Sequence, residues 1–202
     1  MKRCRVNISV YFAVIMACIV VLDHTGLAVL ALICAALHEA GHFIAIAACH
    51  GEIQEVSFKT FGVNIRLARG TKLSYTQECL IALSGCAANL ICSLAALILF
   101  GNGIMRNQMY AMMYMNLILC AFNILPISSL DGGRAVEAAM CGKLGFVKAH
   151  NVVHVLSLIF IAPLTILGVY LLVRTGYNFS LLVASVYLAV GLIMRGRLFE
   201  FA

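Results

Sequence analysis

The chain has 202 residues, of which 63% are hydrophobic and only 11% are charged, and its mean hydropathy is +1.03. These proportions exclude a soluble globular domain and predict a polytopic membrane protein surrounded by the lipid bilayer. The formal net charge is +6, but the basic residues form no stripe interleaved with aromatic residues. The charge therefore does not indicate a nucleic-acid partner.

Six apolar stretches approach or exceed the length of about 20 residues that a helix needs to cross a bilayer. They predict an all-α protein with six transmembrane helices at residues 6–22, 26–49, 76–100, 108–130, 152–173 and 180–194. The first stretch follows basic residues, as a signal peptide would. It lacks a small-residue cleavage pattern, however, and a second span follows almost at once, so we interpret it as a helix. The absence of repeats and long linkers predicts one domain over residues 1–202.

The second predicted span contains the sequence HEAGH at residues 38–42. Positions i and i+4 share one face of a helix, so His38 and His42 can both direct an imidazole to one zinc ion. Glu39 lies beside them, where it can accept a proton from the attacking water. Three polar side chains are costly to insert into a membrane and are rarely tolerated there without a function. This placement predicts hydrolysis within a membrane.

The segment at residues 52–74 departs from the helical pattern because apolar and polar residues alternate in it. A period of two predicts short strands that form a β-hairpin or small sheet after the second span. A loop with some β character is an alternative that the pattern leaves open. Because an open strand edge cannot face lipid, we expect the segment at the cytoplasmic surface or covered by protein.

A catalytic zinc site needs a third protein ligand, and the candidate is Asp131, in the sequence NILPISSLDGGR at residues 123–134. Pro126 cannot continue a regular helix, so we expect the fourth span to unwind at residues 123–126 and to run on in extended form to Asp131. The two glycines that follow Asp131 permit a turn. Asn123 either caps the broken helix or takes a direct part in the site.

The distribution of charge predicts the orientation. If the N-terminus is cytoplasmic, twelve of the fourteen basic residues lie on the cytoplasmic side, and only Arg106 and Arg174 do not. This excess predicts that both termini are cytoplasmic. Arg134 is then expected to be a cytoplasmic anchor.

The positions of the cysteines, and of the histidines outside the HEAGH motif, indicate structural roles. The nine cysteines are scattered without a C-x-x-C pair, which indicates packing residues rather than disulfides or metal ligands. The remaining histidines lie near the ends of spans, where we expect interfacial rather than catalytic side chains: His24, His50, His150 and His154.

The HEAGH motif, taken with N-x-x-P-x-x-x-x-D-G at residues 123–132, resembles the site-2 protease family of intramembrane zinc metallopeptidases, peptidase family M50. The six-span layout resembles the bacterial sporulation branch, which cleaves a membrane-associated sigma-factor precursor. A further match is GCAAN at residues 85–89, although Cys86 stands where the family often has proline. The sequence ISS at residues 127–129 also departs, since a second proline is common there. The motifs cover about residues 26–142.

The resemblance implies a zinc metalloendopeptidase with one zinc ion per chain, bound by His38, His42 and Asp131, and with Glu39 as the catalytic base. It implies that Asn89 and Asn123 hold the substrate backbone or the oxyanion. The expected substrate is a membrane-tethered protein, such as a sigma-factor precursor or an anti-sigma factor. A membrane regulatory partner and a location in the bacterial cell membrane are further expectations.

The alternative is a non-catalytic membrane protein that binds or transports metal. A transporter is expected to place several acidic or histidine residues along one route through its spans. This chain concentrates them at one point and retains Glu39, which transport would not require.

Overall fold

The structure, a computed structural model, describes residues 5–59, 62–68 and 73–200, with the side chains of residues 59, 62–64 and 194–200 left out. The chain forms two compact units, Met1–Phe122 and Asn123–Ala202. The first unit contains a small sheet and four helices, the fourth without its last residue, and the second unit contains three further helices.

The first unit contains, in chain order, β1 (Arg5–Ile8), α1 (Val10–Leu22), α2 (Leu27–Ala48), β2 (Ile53–Lys59), β3 (Gly62–Leu67), α3 (Tyr75–Gly101) and α4 (Arg106–Asn123). The last residue of α4 is the first residue of the second unit. That unit continues with α5 (Asp131–Leu144), α6 (Phe146–Thr175) and α7 (Ser180–Glu200).

The sheet has the strand order β1-β2-β3. Strands β2 and β3 pair antiparallel, so the predicted hairpin is confirmed, although residues 60–61 and 69–72 lie outside the described residues. Strand β1 pairs parallel with β2, with Arg5 opposite Glu55 and Ile8 opposite Phe58. The sequence prediction was wrong here, because it placed residues 6–8 in a helical span. Pairing with a strand about 50 residues away decides the conformation of this short segment.

In the described part of the chain, three helices are long and apolar enough to cross a membrane by length and composition: α2, α3 and α6. Helix α1 and the described apolar part of α7, Ser180–Ile193, are apolar but shorter. Helix α4 has 18 residues and ends at Asn123, because the chain unwinds before Pro126 as expected. Thus the chain has the composition and helices of a membrane protein, and three of the six predicted spans meet these criteria.

Polar side chains define where α2 and α3 begin. The Ser74 hydroxyl accepts a hydrogen bond from the backbone N–H of Gln77, and the Gln77 side-chain oxygen accepts one from the N–H of Ser74. This reciprocal pair satisfies two donors at the start of α3. At the start of α2, the Asp23 carboxylate accepts hydrogen bonds from the N–H groups of Thr25 and Val29 at 3.1 and 3.0 Å.

None of the described cysteines forms a disulfide bond with another, and Cys34, Cys86, Cys120 and Cys141 are buried. Buried thiols among apolar helices behave as small packing side chains. The structure therefore contains no disulfide within the described part of the chain.

Candidate metal and catalytic centre

The His38 and His42 imidazoles lie on one face of α2 and are buried, at 6% and 8% exposure. Their Nε2 atoms are 3.2 Å apart, and the ring planes are nearly perpendicular, at 84°. Two nitrogens that each lie about 2.05 Å from a tetrahedral zinc ion are separated by about 3.3 Å. The spacing of the two imidazoles therefore fits shared coordination of one zinc ion.

The protonation of His42 follows from its other ring nitrogen. Nδ1 lies 2.8 Å from the carbonyl oxygen of Ile81, and 3.3 Å from the Ser84 hydroxyl. A carbonyl can only accept, so Nδ1 carries the proton and Nε2 keeps its lone pair for a metal. The Ser84 hydroxyl in turn donates to the same Ile81 carbonyl at 2.6 Å. These contacts to α3 fix both the tautomer and the orientation of the His42 ring.

Two glycines allow α2 and α3 to approach closely beside the imidazoles. A Cβ added at Gly41 would lie 2.6 Å from the backbone oxygen of Ser84. A Cβ added at Gly85 would lie 2.5 Å from His42 Nε2 and 2.6 Å from His38 Cε1. The backbone leaves no room for a side chain at Gly41, and a side chain at Gly85 would displace the imidazoles. Thus Gly85, already noted as part of the GCAAN sequence, leaves the space that the imidazoles occupy.

Glu39 follows His38 directly on α2 and is half-buried, less enclosed than the two imidazoles. It lies on the same helical turn as the two histidines. A carboxylate at this place can accept a proton from a water molecule near the imidazoles.

Asp131, in the second unit, is buried at 8% exposure and is the first residue of α5. The segment before it is extended at Leu130 (φ −103°, ψ 166°). Two tight turns shape the segment, because Ile127 N–H donates to the Leu125 carbonyl and Leu130 N–H donates to the Ile127 carbonyl, at 2.7 and 2.8 Å. The predicted break of the helix is confirmed, but the prediction of an extended approach to Asp131 was wrong, because turns shape the segment and it is extended only at Leu130.

The role predicted for Gly132 and Gly133 was wrong, because both residues lie in the first turn of α5 rather than in a turn of the loop. Close backbone approach explains them instead. A Cβ at Gly132 would collide with the backbone carbonyl of Ile124, and one at Gly133 would collide with that of Ile127. The glycines therefore let the start of α5 pack directly on the loop that leads to it.

The two asparagines expected to bind substrate differ in their surroundings. Asn89, on α3, is fully buried, and neither its amide nitrogen nor its amide oxygen has a hydrogen-bond partner among the described residues. An unpaired buried amide is costly, by about 1–3 kcal/mol for each group. Asn123, the last residue of α4, is half-buried.

Some contacts of buried polar residues were not predicted from the sequence. His150, expected at the membrane interface, is buried at 8% exposure, and its Nδ1 lies 2.9 Å from the Glu137 carboxylate. Asn116 is fully buried and donates to Cys34 Sγ at 3.1 Å and to the Met112 carbonyl at 2.9 Å. No local pattern reports the pairs of Glu137 with His150 and of Asn116 with Cys34, because their members lie on different helices.

The three predicted metal ligands share a common chemistry. His38, His42 and Asp131 are all buried, and each offers one atom of a kind that binds metal ions. Two imidazoles and one carboxylate form a donor set that suits zinc and leaves a fourth position open for water or substrate.

Comparison with known proteins supports the same family. The family model described as peptidase family M50 matches residues 100–164, a stretch that includes Asn123, Pro126 and Asp131. No curated protein gives a significant match to the sequence.

Among solved structures, the chain is similar to a site-2 protease from Methanocaldococcus jannaschii, with a TM-score of 0.69 and 18% sequence identity. The match covers 96% of this chain and 91% of that chain. The two proteins therefore share a fold over almost their whole lengths. Together with the family model, this confirms the resemblance to the site-2 protease family that the sequence motifs predict.

Proposed function

We propose that this chain, whose fold is that of the site-2 protease family, is a zinc metalloendopeptidase that cleaves membrane-embedded or membrane-associated proteins. One observation carries the proposal. The Nε2 atoms of His38 and His42 lie 3.2 Å apart on a helix long and apolar enough to cross a membrane, with Glu39 beside them. Such a group of polar side chains on an apolar helix indicates a functional site.

The proposed ligand set is His38, His42 and Asp131, binding one zinc ion per chain. It is supported by the spacing and tautomer of the imidazoles and by the burial of the Asp131 carboxylate. Zinc bound by two imidazoles and a carboxylate supplies Lewis acidity, which acidifies water and polarises a carbonyl group.

The chain's own residues then divide the reaction between them. Glu39 accepts the proton of the attacking water and passes it to the departing amine, so the same carboxylate serves as base and acid. The Asn89 amide, fully buried and unpaired among the described residues, is a ready partner for a peptide backbone or a developing oxyanion. Asn123 is proposed to share this role from the end of α4.

Metal analysis of purified variants tests the proposal. Replacing His38, His42 or Asp131 by alanine should remove zinc and abolish cleavage. Glu39→Gln should keep zinc while abolishing cleavage, because the base is not a ligand. If Glu39→Gln cleaves normally, Glu39 is not the catalytic base. If Asp131→Ala keeps full zinc and activity, the third ligand is misassigned.

The proposed substrate is a membrane-tethered protein that must be unwound before it can be cut, because a helix hides its peptide bonds in its own hydrogen bonds. The sigma-factor precursors and anti-sigma factors of bacterial sporulation or stress responses are proposed candidates, and a membrane partner is proposed to regulate access. Co-expression with candidate proteins, followed by a search for a fragment that depends on Glu39, tests this assignment.

We further propose that the unwound substrate pairs with β3, the strand at one end of the described sheet order. Strand addition uses main-chain N–H groups, which point alternately to the two sides of a strand. Proline at residue 64 therefore removes an N–H donor on one side of β3, and proline at residue 65 removes one on the other side. One of these sides faces β2, and the other is open to the substrate. Cleavage should fall while zinc content stays unchanged. Normal cleavage with both prolines would exclude strand addition at β3.

The proposed arrangement in the membrane has six spans, with both termini in the cytoplasm of a bacterial cell. It is supported by the excess of basic residues on one side of the predicted spans. Reporter fusions after residues 72 and 202 should report the cytoplasm, and a fusion near Arg106 should report the outside. A cytoplasmic signal at Arg106 would contradict this arrangement.

A further inference from the structure

The loop that presents Asp131 is attached to α6 by a hydrogen bond that the sequence does not suggest. The backbone N–H of Ser128, three residues before Asp131, donates to the Ser157 hydroxyl at 2.8 Å. Ser157 lies on α6 and is completely buried. Its hydroxyl donates to the Val153 carbonyl at 2.7 Å, so the group is satisfied both as donor and as acceptor. A hydroxyl held in this way has a fixed orientation, which fixes the Ser128 amide in turn.

A second contact places Ser157 at the level of Asp131. Helix α5 ends at Leu144 and α6 begins at Phe146, so the two helices run antiparallel where they pack side by side. The Glu137 carboxylate and His150 Nδ1 meet at 2.9 Å. Six residues back along α5 from Glu137 is Asp131, and six residues forward along α6 from His150 is residue 156, next to Ser157.

The same face of α6 carries both contacts. His150, Val153 and Ser157 are separated by three and four residues, so they lie in one row on the helix. All three are buried, and Val153 and Ser157 are completely so. Asp131 is therefore bracketed by two attachments to one helix, one before it through Ser128 and one after it through Glu137.

We propose that Ser157 is a positioning residue for the metal site, which holds the Ser128 backbone so that the Asp131 carboxylate is presented in the geometry that zinc requires. This proposal rests on the proposed function, because it takes Asp131 as a zinc ligand. Ser157 does not touch the metal or the substrate. Groups that orient a metal ligand commonly change metal affinity by about 10–100-fold when they are removed.

The test measures zinc affinity of the full chain in detergent or lipid bilayers, together with thermal stability. Ser157→Ala should weaken zinc binding by about 10–100-fold. Ser157→Cys, which fills the space with a weaker hydrogen-bonding group, should lie between Ser157→Ala and the unaltered protein. The matched control is Ser185→Ala, since Ser185 is also buried at 1% exposure on a helix of the second unit. Its hydroxyl donates to the Leu182 carbonyl on its own helix at 2.9 Å, and its loss should leave zinc affinity within about twofold.

A double-mutant cycle separates positioning from general stabilisation. The Asp131→Ala variant is expected to lose its zinc on purification, so its weak residual affinity is measured with added zinc. In this background Ser157→Ala should cause no further loss of affinity, because there is no carboxylate left to position. A purely structural role would instead reduce stability and zinc retention equally in both backgrounds. With Asp131 present, Ser157→Ala should lower the kcat of cleavage relative to the unaltered protein, with little change in KM.

Zinc affinity of Ser157→Ala within twofold of the unaltered protein, or an equal loss in Ser185→Ala, would overturn the proposal. Failure of the proposed function gives a different result, because the unaltered protein would then bind no zinc, or Asp131→Ala would bind it normally.

Discussion

The two regions that carry the predicted zinc ligands hold them by different means. In the first unit, one helical turn of α2 provides both imidazoles, and the helix itself sets the 3.2 Å spacing of their Nε2 atoms. In the second unit, Asp131 stands where a non-helical loop meets the start of α5. The carboxylate is positioned by hydrogen bonds and close contacts of the backbone around it, which come from several places in the chain.

This difference predicts how substitutions in each region affect folding and metal binding. The positions of the two imidazoles depend on how closely α3 approaches α2. A side chain added at Gly85 would contact the rings, which can rotate to make room for it. The loop before Asp131 is built from backbone packed on backbone, so an intruding atom has nothing flexible to displace. We therefore expect changes in the loop to affect folding as well as metal binding, and changes beside the imidazoles to affect chiefly metal binding.

The largest effect is expected from Gly132→Ala. The added methyl group would collide with the backbone carbonyl of Ile124 and lie 2.6 Å from that of Leu125. We expect the free energy of unfolding to fall by about 3 kcal/mol, with zinc binding lost in parallel, as measured by thermal unfolding and metal analysis. Gly191→Ala is the control, because its nearest neighbour would be Ser129 Cβ at 4.0 Å. Equal stability of the two variants would show that the loop can yield.

A smaller loss of stability, with a clear loss of metal, is expected from Gly85→Ala. Its methyl group would lie 2.5–2.7 Å from atoms of both imidazoles, which can turn away. Zinc affinity should fall about 100-fold, equivalent to about 2.7 kcal/mol, in isothermal titration. Gly101→Ala on the same helix meets nothing within 4 Å and should be silent. Unchanged zinc affinity in Gly85→Ala would mean that the imidazoles are not the ligands.

Ser84→Ala is expected to have a modest effect. It removes the hydroxyl 3.3 Å from His42 Nδ1 but leaves the Ile81 carbonyl at 2.8 Å. Zinc affinity should therefore fall by less than about tenfold. The control is Ser93→Ala. Ser93 lies on the same helix, α3, but its hydroxyl donates to the Met113 carbonyl on α4. A loss as large as that of Gly85→Ala would show that the hydroxyl, and not the carbonyl, sets the orientation of His42.

The smallest effect is expected at Asp23, at the start of α2. The Val29 N–H, followed by Thr25, stabilises the charged carboxylate and lowers the Asp23 pKa below its usual value. A lowered pKa gives stability that is present above about pH 3.9 and is lost as the pH falls through the folded-state pKa. The protection of the Val29 amide from hydrogen exchange, corrected for the intrinsic pH dependence of exchange, should therefore fall at low pH, and this change should be absent in Asp23→Asn. Zinc affinity of Asp23→Asn at neutral pH should match that of the unaltered protein.

The sequence predicted the parts of the site that depend on local spacing. The i and i+4 positions of the two histidines, and the break of α4 before Pro126, follow from helix geometry and the missing N–H of proline. Strands β2 and β3 were visible from their period of two. Asp131 was named as the third ligand from the helix break that precedes it, and the resemblance to the site-2 protease family supported that choice.

The parts that were missed depend on contacts between distant segments. Helix α5 was not predicted, because two glycines next to Asp131 favour a turn when no neighbours are known. Their real constraint is the carbonyls of Ile124 and Ile127. Strand β1 and the hydroxyl of Ser157 were missed for the same reason, since their partners lie about 50 and 29 residues away.

The parallel pairing of β1 with β2 has a consequence for insertion of the chain. Strand β1 directly precedes α1, and β2 follows α2. Their pairing therefore brings the beginning of α1 and the end of α2 to the same sheet. An even number of membrane crossings must then separate β1 from β2, whichever way the protein faces. Where α1 and α2 are two membrane crossings, they are inserted as a pair, with their connecting turn leading. One accessibility label, placed at the N-terminal strand or after α2, therefore determines the sidedness of both.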